Sequence, residues 1–184
     1  MSKIYEELDD RLRRFILDQK MFFVASAPTG SDGFINISPK GLDLLRILDS
    51  KTVAYLDLTG SGVESIAHIK ENGRFVMMFC SFDKSPLILR LHGRASVIER
   101  SDAEWAQLQS HFPDMRMARA IIKLSIQRIA DSCGWGVPMF SFAGNREQYF
   151  KYSDQLDDEG LRKTQLECNM TSIGGLPALK QPSA

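Results

Sequence analysis

Alternating and clustered apolar positions along the chain predict a mainly β fold with helices inserted between the strands. Six segments have the two-residue periodicity or the short apolar runs that are typical of strands: 22–27, 34–38, 52–58, 75–82, 87–99 and 120–127. Most of these segments follow one another through short connections, which favours antiparallel hairpins. Because closure removes exposed sheet edges, we expect a six-stranded closed antiparallel barrel.

Helical spacing of apolar residues predicts four helices beside these strands. The first lies within residues 1–20, and one face of it consists of Ile4, Leu8, Leu12, Phe15 and Ile16. The other three cover 66–71, 102–111 and 146–152. We expect Gly73 to end the second helix and Ser101 to cap the third.

The remaining segments are predicted to be connections. Residues 42–48 form a short helical or irregular link in this prediction, and Pro39 to Gly41 end the strand before it. The C-terminal region, 145–184, is predicted to contain one helix and then an irregular tail that starts at Asn169. No linker or internal repeat divides the chain, so we expect a single domain over residues 1–184.

The charge balance and the absence of long apolar runs limit the possible partners. Lysine plus arginine and aspartate plus glutamate number 23 each among the 184 residues, so the formal net charge is zero. Such a chain lacks the global positive field that attracts nucleic acid or a membrane surface. No apolar run approaches the ~20 residues of a membrane-spanning helix. We therefore expect a cytoplasmic protein without nucleic-acid or membrane partners.

The cysteines and histidines do not have the spacing of a metal site. Cys80, Cys133 and Cys168 are odd in number and far apart, which argues against structural disulfides and zinc. The three histidines are scattered as well. From the residues alone we expect no metal site, and we assign no catalytic acid or base.

The turn Thr59-Gly60-Ser61-Gly62-Val63-Glu64-Ser65 is the most informative motif. A glycine- and hydroxyl-rich turn that opens a helix presents free backbone N–H groups at the positive end of the helix dipole, which suits a phosphate. The alternative is an ordinary connection that Ser61 or Ser65 caps. Glu64 would repel a phosphate dianion, so in a phosphate site its side chain is expected to point away.

The same turn lies one substitution from a dinucleotide-binding fingerprint. Gly60 and Gly62 have the required spacing, and Asp83 follows about 20 residues later. However, Ser65 stands where close helix–strand packing requires Gly or Ala. The chain also offers only one β-α-β unit, whereas a doubly wound sheet needs helices between most of its strands. We therefore consider the dinucleotide-binding fold the weaker interpretation.

The order of the motifs resembles the pyridoxamine 5′-phosphate oxidase-related family, whose members are FMN-binding split β-barrels. The similarity is carried by the sequences FFVASA, NISPKG and YLDLTGSG at 22–27, 36–41 and 55–62, and it continues at 72–80, 89–95 and 131–138. It covers roughly residues 10 to 180. The resemblance implies a six-stranded split barrel, a homodimer and two FMN sites at the subunit interface.

The resemblance also implies a set of cofactor-binding residues. Those that would lie along the isoalloxazine ring and the ribityl chain share two neighbouring strands: Asn36, Ile37, Ser38, Tyr55, Leu56 and Asp57. Those that would hold the phosphate share the glycine-rich turn: Thr59, Ser61, Gly62 and Ser65. Lys40 or Arg74 would add positive charge near the phosphate. Arg94 would face the site of the other subunit.

By the same resemblance, the protein would be an FMN-dependent oxidoreductase in which the flavin carries the hydride chemistry. Two family features are missing: Val63, Glu64 and Ser65 stand where true pyridoxamine phosphate oxidases carry basic residues, and the C-terminal Arg-x-His pattern is absent. The substrate is therefore not implied. Two further hypotheses stay open, namely a non-catalytic flavin- or haem-binding module and a deazaflavin-dependent reductase.

Overall fold

The computed structural model describes residues 2–180, which form eight strands and five helices. Their order along the chain is β1 (Ile4–Tyr5), α1 (Asp10–Asp18), β2 (Phe22–Ser26), β3 (Asn36–Lys40), β4 (Leu45–Ile47), β5 (Thr52–Leu58), α2 (Glu64–Asn72), β6 (Arg74–Cys80), β7 (Ile88–Glu99), α3 (Trp105–Gln109), β8 (Ala118–Ser132), α4 (Gln148–Gln155) and α5 (Asp158–Cys168).

The strands form one antiparallel sheet that curls into a split barrel. Its order is β3-β2-β6-β7-β8-β5-β4, and β1 pairs with β8. Within residues 2–180 no ladder joins β3 to β4, so the expected closure of the barrel is wrong, whereas the split-barrel fold is confirmed. Strands β5 and β6 are not neighbours in this sheet, and the antiparallel pairing excludes the dinucleotide-binding fold.

The main core fills the concave side of the sheet. Alternate residues of β6 and β7 face inward, among them Met77, Phe79 and Leu91, and all are fully buried. Helix α1 packs here through Leu12 and Ile16, and its first turn is capped by the Asp9 carboxylate, which accepts from the Leu12 N–H at 2.8 Å. Buried aliphatic residues thus tie both elements to the barrel.

A second, smaller core lies on the opposite face of β5 and β8. Leu56 and Ile121 point to this side and pack against Leu108 and Phe112 from the segment around α3. Helix α3 is shorter than expected and begins after Glu104, so Ser101 does not cap it. The reason is that Asp102 already closes the turn, by accepting from the Glu99 N–H.

The N-terminal half differs from the expected elements in three places. Ile4 lies in strand β1 and is 58% exposed, so it does not belong to the face of α1. Pro39 lies inside β3, which is an edge strand where a missing N–H costs no ladder bond. The predicted irregular link contains β4, whose Leu45 is drawn into the core beside Tyr55.

The C-terminal region contains two helices where one was expected. Neither α4 nor α5 buries a single residue, so α5 lacks the apolar stripe that identifies a helix in a sequence. The chain beyond α5 is anchored instead, since Ala178 and Leu179 are part of the main core. Among residues 2–180 no helix has the length and apolar character needed to cross a membrane.

Candidate functional site

The convex face of the sheet carries a gradient from apolar to cationic side chains. We call it the outer face, and define it by two cross-strand rows: Pro39, Phe23, Met78 and Arg90, and then Ile37, Ala25, Val76, His92 and Arg128. Residues opposite each other on paired strands share one face of the sheet. The end at β3 and β2 is therefore apolar, and the end at β7 and β8 is basic.

The basic end lacks acidic partners. Among residues 2–180 no ion pair includes an arginine of this region, namely Arg74, Arg90, Arg94 or Arg128. Within residues 2–180 the Arg94 guanidinium donates only to the Asn72 carbonyl at the end of α2. Burial lowers the pKa of His92, and the charges of Arg128 and Arg90 lower it further. The imidazole is therefore neutral at pH 7.

A groove of about 380 Å³ crosses this face where its two ends meet. Its lining includes the apolar residues Ala25, Ile35 and Val76 together with Arg74 and Arg94. The groove thus offers a surface for a flat apolar group beside positive charge that the described residues leave uncompensated.

The glycine-rich turn opens helix α2 without a side-chain cap. Val63 is the N-cap residue, so neither Ser61 nor Ser65 caps the helix. Ser61 and Gly62 are exposed, whereas Ser65 is buried in the first turn of the helix.

Contrary to expectation, Glu64 folds back over this turn. Its carboxylate accepts from the Val63 N–H at 3.0 Å and from the Ile173 N–H at 3.2 Å. The free donors and the positive helix end attract an anion, and the nearest one is this side chain.

Residues from the C-terminal region cover the same turn. The Tyr149 hydroxyl on α4 donates to the Thr59 carbonyl at 3.3 Å, and Gln165 Nε2 on α5 donates to Thr59 Oγ1 at 2.9 Å. Asn169 Nδ2 donates to the Gly60 carbonyl at 2.8 Å. Two of the predicted phosphate ligands, Thr59 and Ser65, are therefore engaged inside the protein, since Ser65 Oγ accepts from Asn36 Nδ2 at 2.9 Å.

Behind the turn lies a buried ionic cluster. Asp57 is 1% exposed, and its two oxygens accept from Lys40 Nζ at 2.7 Å and from Arg119 Nε at 2.8 Å. Burial alone would raise the pKa of Asp57, but the Arg119 and Lys40 charges outweigh it and hold the pKa below its usual value. Lys40 is thus committed to Asp57.

The predicted cofactor residues fall into separate groups. Asn36, Ser38 and Ser65 form a hydrogen-bonded chain between β3 and α2, with Ser38 Oγ donating to Asn36 Oδ1 at 3.1 Å. Ile37 points to the outer face and is 65% exposed. Tyr55 lies in the main core, and Leu56 points to the second core. Arg94 lies at the far end of α2 from the turn. The Arg94 and Ser61 side chains of the same chain are therefore far apart.

Sequence reasoning missed Arg119, Tyr149, Gln165 and Asn169 at this site. All four lie in the C-terminal half of the chain, and their contacts span 62 to 109 residues. Only Arg119 gave a signal, because it is the one charge in the apolar run 118–122 at the start of β8. Among residues 2–180, histidine, cysteine and carboxylate side chains form no group of three that suits a metal ion.

The buried His68 on α2 predicts a pH-dependent stability. Its Nδ1 lies 3.0 Å from Ser26 Oγ, and burial lowers its pKa although Glu64 and Glu71 oppose this. The folded protein thus binds fewer protons than the unfolded chain below about pH 6.5. We expect the free energy of unfolding, measured with urea, to fall from pH 7 to pH 5, and His68→Gln to weaken that dependence.

The exposed His111 provides the control, because His111→Gln should keep the full pH dependence. The pKa of His92 is lowered in the same direction, so the slope in His68→Gln should shrink without vanishing. Parallel slopes in His68→Gln and the wild type would rule out His68 as a source.

The fold and this site define a split-barrel protein with a basic groove, and comparison with known proteins assigns its family. The family model for pyridoxamine 5′-phosphate oxidase matches residues 8–133. The ustO protein of Aspergillus flavus, a pyridoxamine 5′-phosphate oxidase family protein, is 40% identical over 196 residues, with 97% of this chain and 78% of the relative covered. The chain belongs to the pyridoxamine 5′-phosphate oxidase family, and the resemblance of its motifs is confirmed.

Solved structures share the fold at low sequence identity. HupZ of Group A Streptococcus has a TM-score of 0.52 and 22% identity, with 66% of this chain and 91% of that chain covered. A candidate pyridoxamine 5′-phosphate oxidase from Lactobacillus delbrueckii has a TM-score of 0.54 and 17% identity, with 69% and 98% covered. The likeness at these identities concerns the fold alone. The family model ends before α4 and α5, the helices that cover the turn.

Proposed function

We propose that the protein binds FMN between two copies of the chain and acts as an oxidoreductase. The outer face is the observation that carries this proposal, because it joins an exposed apolar surface to arginines without acidic partners. FMN has the matching chemistry, since its flat, largely apolar ring suits the apolar part of this face, and the arginines of a second copy would approach its phosphate dianion. A bound flavin would supply the two-electron redox chemistry.

The residues around the turn support a phosphate site at one end of the cofactor. The Glu64 carboxylate already receives two backbone N–H bonds there, so the turn offers the donors that an anion needs. A phosphate bound to these donors would replace the Glu64 carboxylate. The exposed Ser61 would then lie beside the phosphate. Asn36 and Ile37 on β3 would then lie along the ring, with Lys40 and Asp57 behind the phosphate.

FMN is therefore expected to bind more tightly than riboflavin, which lacks the phosphate. Ser61→Ala should weaken FMN binding roughly tenfold or more, because one hydrogen bond to a charged group contributes about 1.5–3 kcal/mol. Glu64→Gln should strengthen FMN binding, since it removes a competing negative charge. Neither change should alter riboflavin binding. Titration with quenching of flavin fluorescence measures all of these affinities.

Ser31→Ala serves as the matched control, because Ser31 is an exposed loop serine distant in sequence from the turn. Its FMN affinity should equal that of the wild type. Equal affinities of the wild type for FMN and riboflavin would contradict the phosphate assignment.

The same face supports the proposed homodimer. A single subunit leaves Ile37 exposed and Phe23, Ala25, Val76 and Met78 only half-buried, and a two-fold interface would cover both copies with one patch. Arg94 of each subunit would then approach the site of the other, as the family resemblance implies.

Val76→Arg is expected to convert the dimer into a monomer and to weaken FMN binding together with it. Val76 lies in the middle of the outer face, so the new charge would be buried against an equal charge of the second copy. Sedimentation velocity over a dilution series, with and without FMN, measures this. Gln107→Arg places the same charge on α3 and should leave the dimer intact. A Val76→Arg dimer of unchanged affinity would refute the shared site.

Turnover is tested by absorbance of the purified protein and anaerobic reduction with NADH or NADPH. Rapid bleaching of the bound flavin supports the oxidoreductase. A bound flavin that no donor reduces would instead favour the non-catalytic flavin-binding module. A deazaflavin spectrum would indicate a deazaflavin-dependent reductase, and a haem spectrum would indicate a haem-binding module.

A further inference from the structure

The ionic cluster behind the turn has one more positive than negative charge. Asp57 faces both Lys40 and Arg119, so one carboxylate compensates two cations. The Arg119 side chain is 5% exposed and that of Asp57 is fully buried. The Lys40 side chain is 24% exposed, but the Arg119 charge is buried, and because charge is costly away from water, the excess favours a further anion beside Arg119.

Two buried donors at the cluster have no partner. Arg119 Nη1 makes no hydrogen bond within residues 2–180, and neither does the hydroxyl of Tyr55, which lies beside Ser65 without bonding geometry. Burial raises the pKa of Tyr55 well above its usual range, and the Asp57 charge adds to this, so the hydroxyl keeps its proton and can donate. Buried donors of this kind are normally satisfied by a ligand or an ordered water.

The cover over the cluster is weakly held. Tyr149 of α4 lies close enough to feel the charges of both Arg119 and Asp57, and its hydroxyl makes one 3.3 Å bond, to the Thr59 carbonyl. Helices α4 and α5 bury no residue and are fastened by Gln165 and by the exposed contacts of Arg116. Elements with so few buried contacts open at low free-energy cost.

We infer that Arg119 and Tyr55 form an oxyanion subsite behind the turn, which α4 and α5 cover and expose. The ligand carries a tetrahedral oxyanion such as a phosphate group, because the cluster offers donors and net positive charge. The phosphate could belong to the cofactor or to the substrate, and only this choice rests on the proposed function. The subsite itself follows from the unpartnered donors.

Inorganic phosphate and the flavin-free protein test the subsite directly. We expect phosphate to raise the melting temperature more than sodium chloride of equal ionic strength does. Tyr55→Phe removes only the unpartnered hydroxyl and should weaken phosphate about tenfold. Tyr152→Phe removes an exposed hydroxyl of α4 and should bind phosphate like the wild type. Circular dichroism verifies that both variants fold.

Two results would overturn the subsite: phosphate does not stabilise the wild type, or Tyr55→Phe binds phosphate as well as the wild type does. Water would then satisfy the unpartnered donors. Competition experiments identify the source of the phosphate. If FMN displaces phosphate and riboflavin does not, the cofactor's phosphate occupies the subsite. If FMN and phosphate bind together, the subsite takes the substrate's oxyanion.

The same data separate the two proposals. Phosphate binding without any flavin binding supports the subsite and refutes the proposed flavin function. Flavin binding without a specific phosphate effect refutes the subsite and leaves the flavin function in place.

Discussion

Asp57→Asn is expected to lower the free energy of unfolding by about 3–5 kcal/mol, because it leaves the buried Arg119 and the half-buried Lys40 without their carboxylate. Lys40 and Arg119 both depend on Asp57, and Arg119 is buried with it. Asparagine has nearly the same volume, so the loss reports charge and not packing. Urea unfolding at pH 7, followed by circular dichroism, measures the change.

Asp158→Asn is the matched control. Asp158 pairs with Arg116 at 2.8 Å but its side chain is 97% exposed, and exposed pairs contribute little. The pKa of Asp57 is held below its unfolded value, so its contribution is complete above about pH 4 and disappears as the pH falls further. The wild type and Asp57→Asn should therefore converge in acid. A stability difference that does not shrink between pH 4 and pH 2 would contradict the ionic explanation.

Gly93→Ala is expected to destabilise the protein by about 3 kcal/mol, at the upper end of the usual overpacking cost. A Cβ at this position would lie 2.0 Å from the Ser125 carbonyl oxygen and 2.9 Å from its carbonyl carbon, both backbone atoms of the paired strand. The register of β7 and β8 shifts between His92 and Gly93, so the two backbones approach closely there. Thermal unfolding measures the loss.

Gly136→Ala provides the comparison, because no atom lies within 4 Å of a Cβ built there and its backbone is not left-handed. It should unfold like the wild type. Since Gly93 lines the groove, Gly93→Ala should also change flavin affinity if the groove is the binding site. A stable Gly93→Ala variant would mean that β7 and β8 can separate without cost.

The strands were predictable because each carries its own periodic pattern. The alternation in β7 places Leu89 and Leu91 inward and Arg90 and His92 outward, and the structure agrees. Helix α2 was predictable from its end as well, since Gly73 adopts a φ of 69° and stops it. Local signals of this kind need no knowledge of the tertiary structure.

Other features depend on contacts between distant segments and leave no local trace. Strand β4 has only three residues, and its place is decided by pairing with β5. Helix α5 has no apolar stripe because it buries nothing. The role of Arg119 depends on its bond to Asp57, 62 residues away. A periodic pattern cannot encode such a pairing.

The candidate site likewise combines features that local patterns predicted and features that depend on distant contacts. The resemblance of motifs selected β3, β5 and the turn, and these segments do surround one polar region. It could not indicate which hydroxyls are free, because Gln165 and Asn169 come from outside the matched part of the family. The prediction that the Glu64 side chain points away from the turn was wrong. It considered charge repulsion but not the backbone N–H groups that the carboxylate accepts from.

Strand β3 lies at one end of the sheet. Within residues 2–180 no strand pairs with the backbone N–H and C=O groups on its outer side. Pro39 partly protects this edge against pairing, because it has no N–H to donate to another strand. However, Ile37 on the same strand is 65% exposed. A single subunit with this edge open would therefore tend to pair with other copies along β3 and form fibrous aggregates. A lysine in place of Ile37 would be the first change to make in a variant meant to survive as a single subunit.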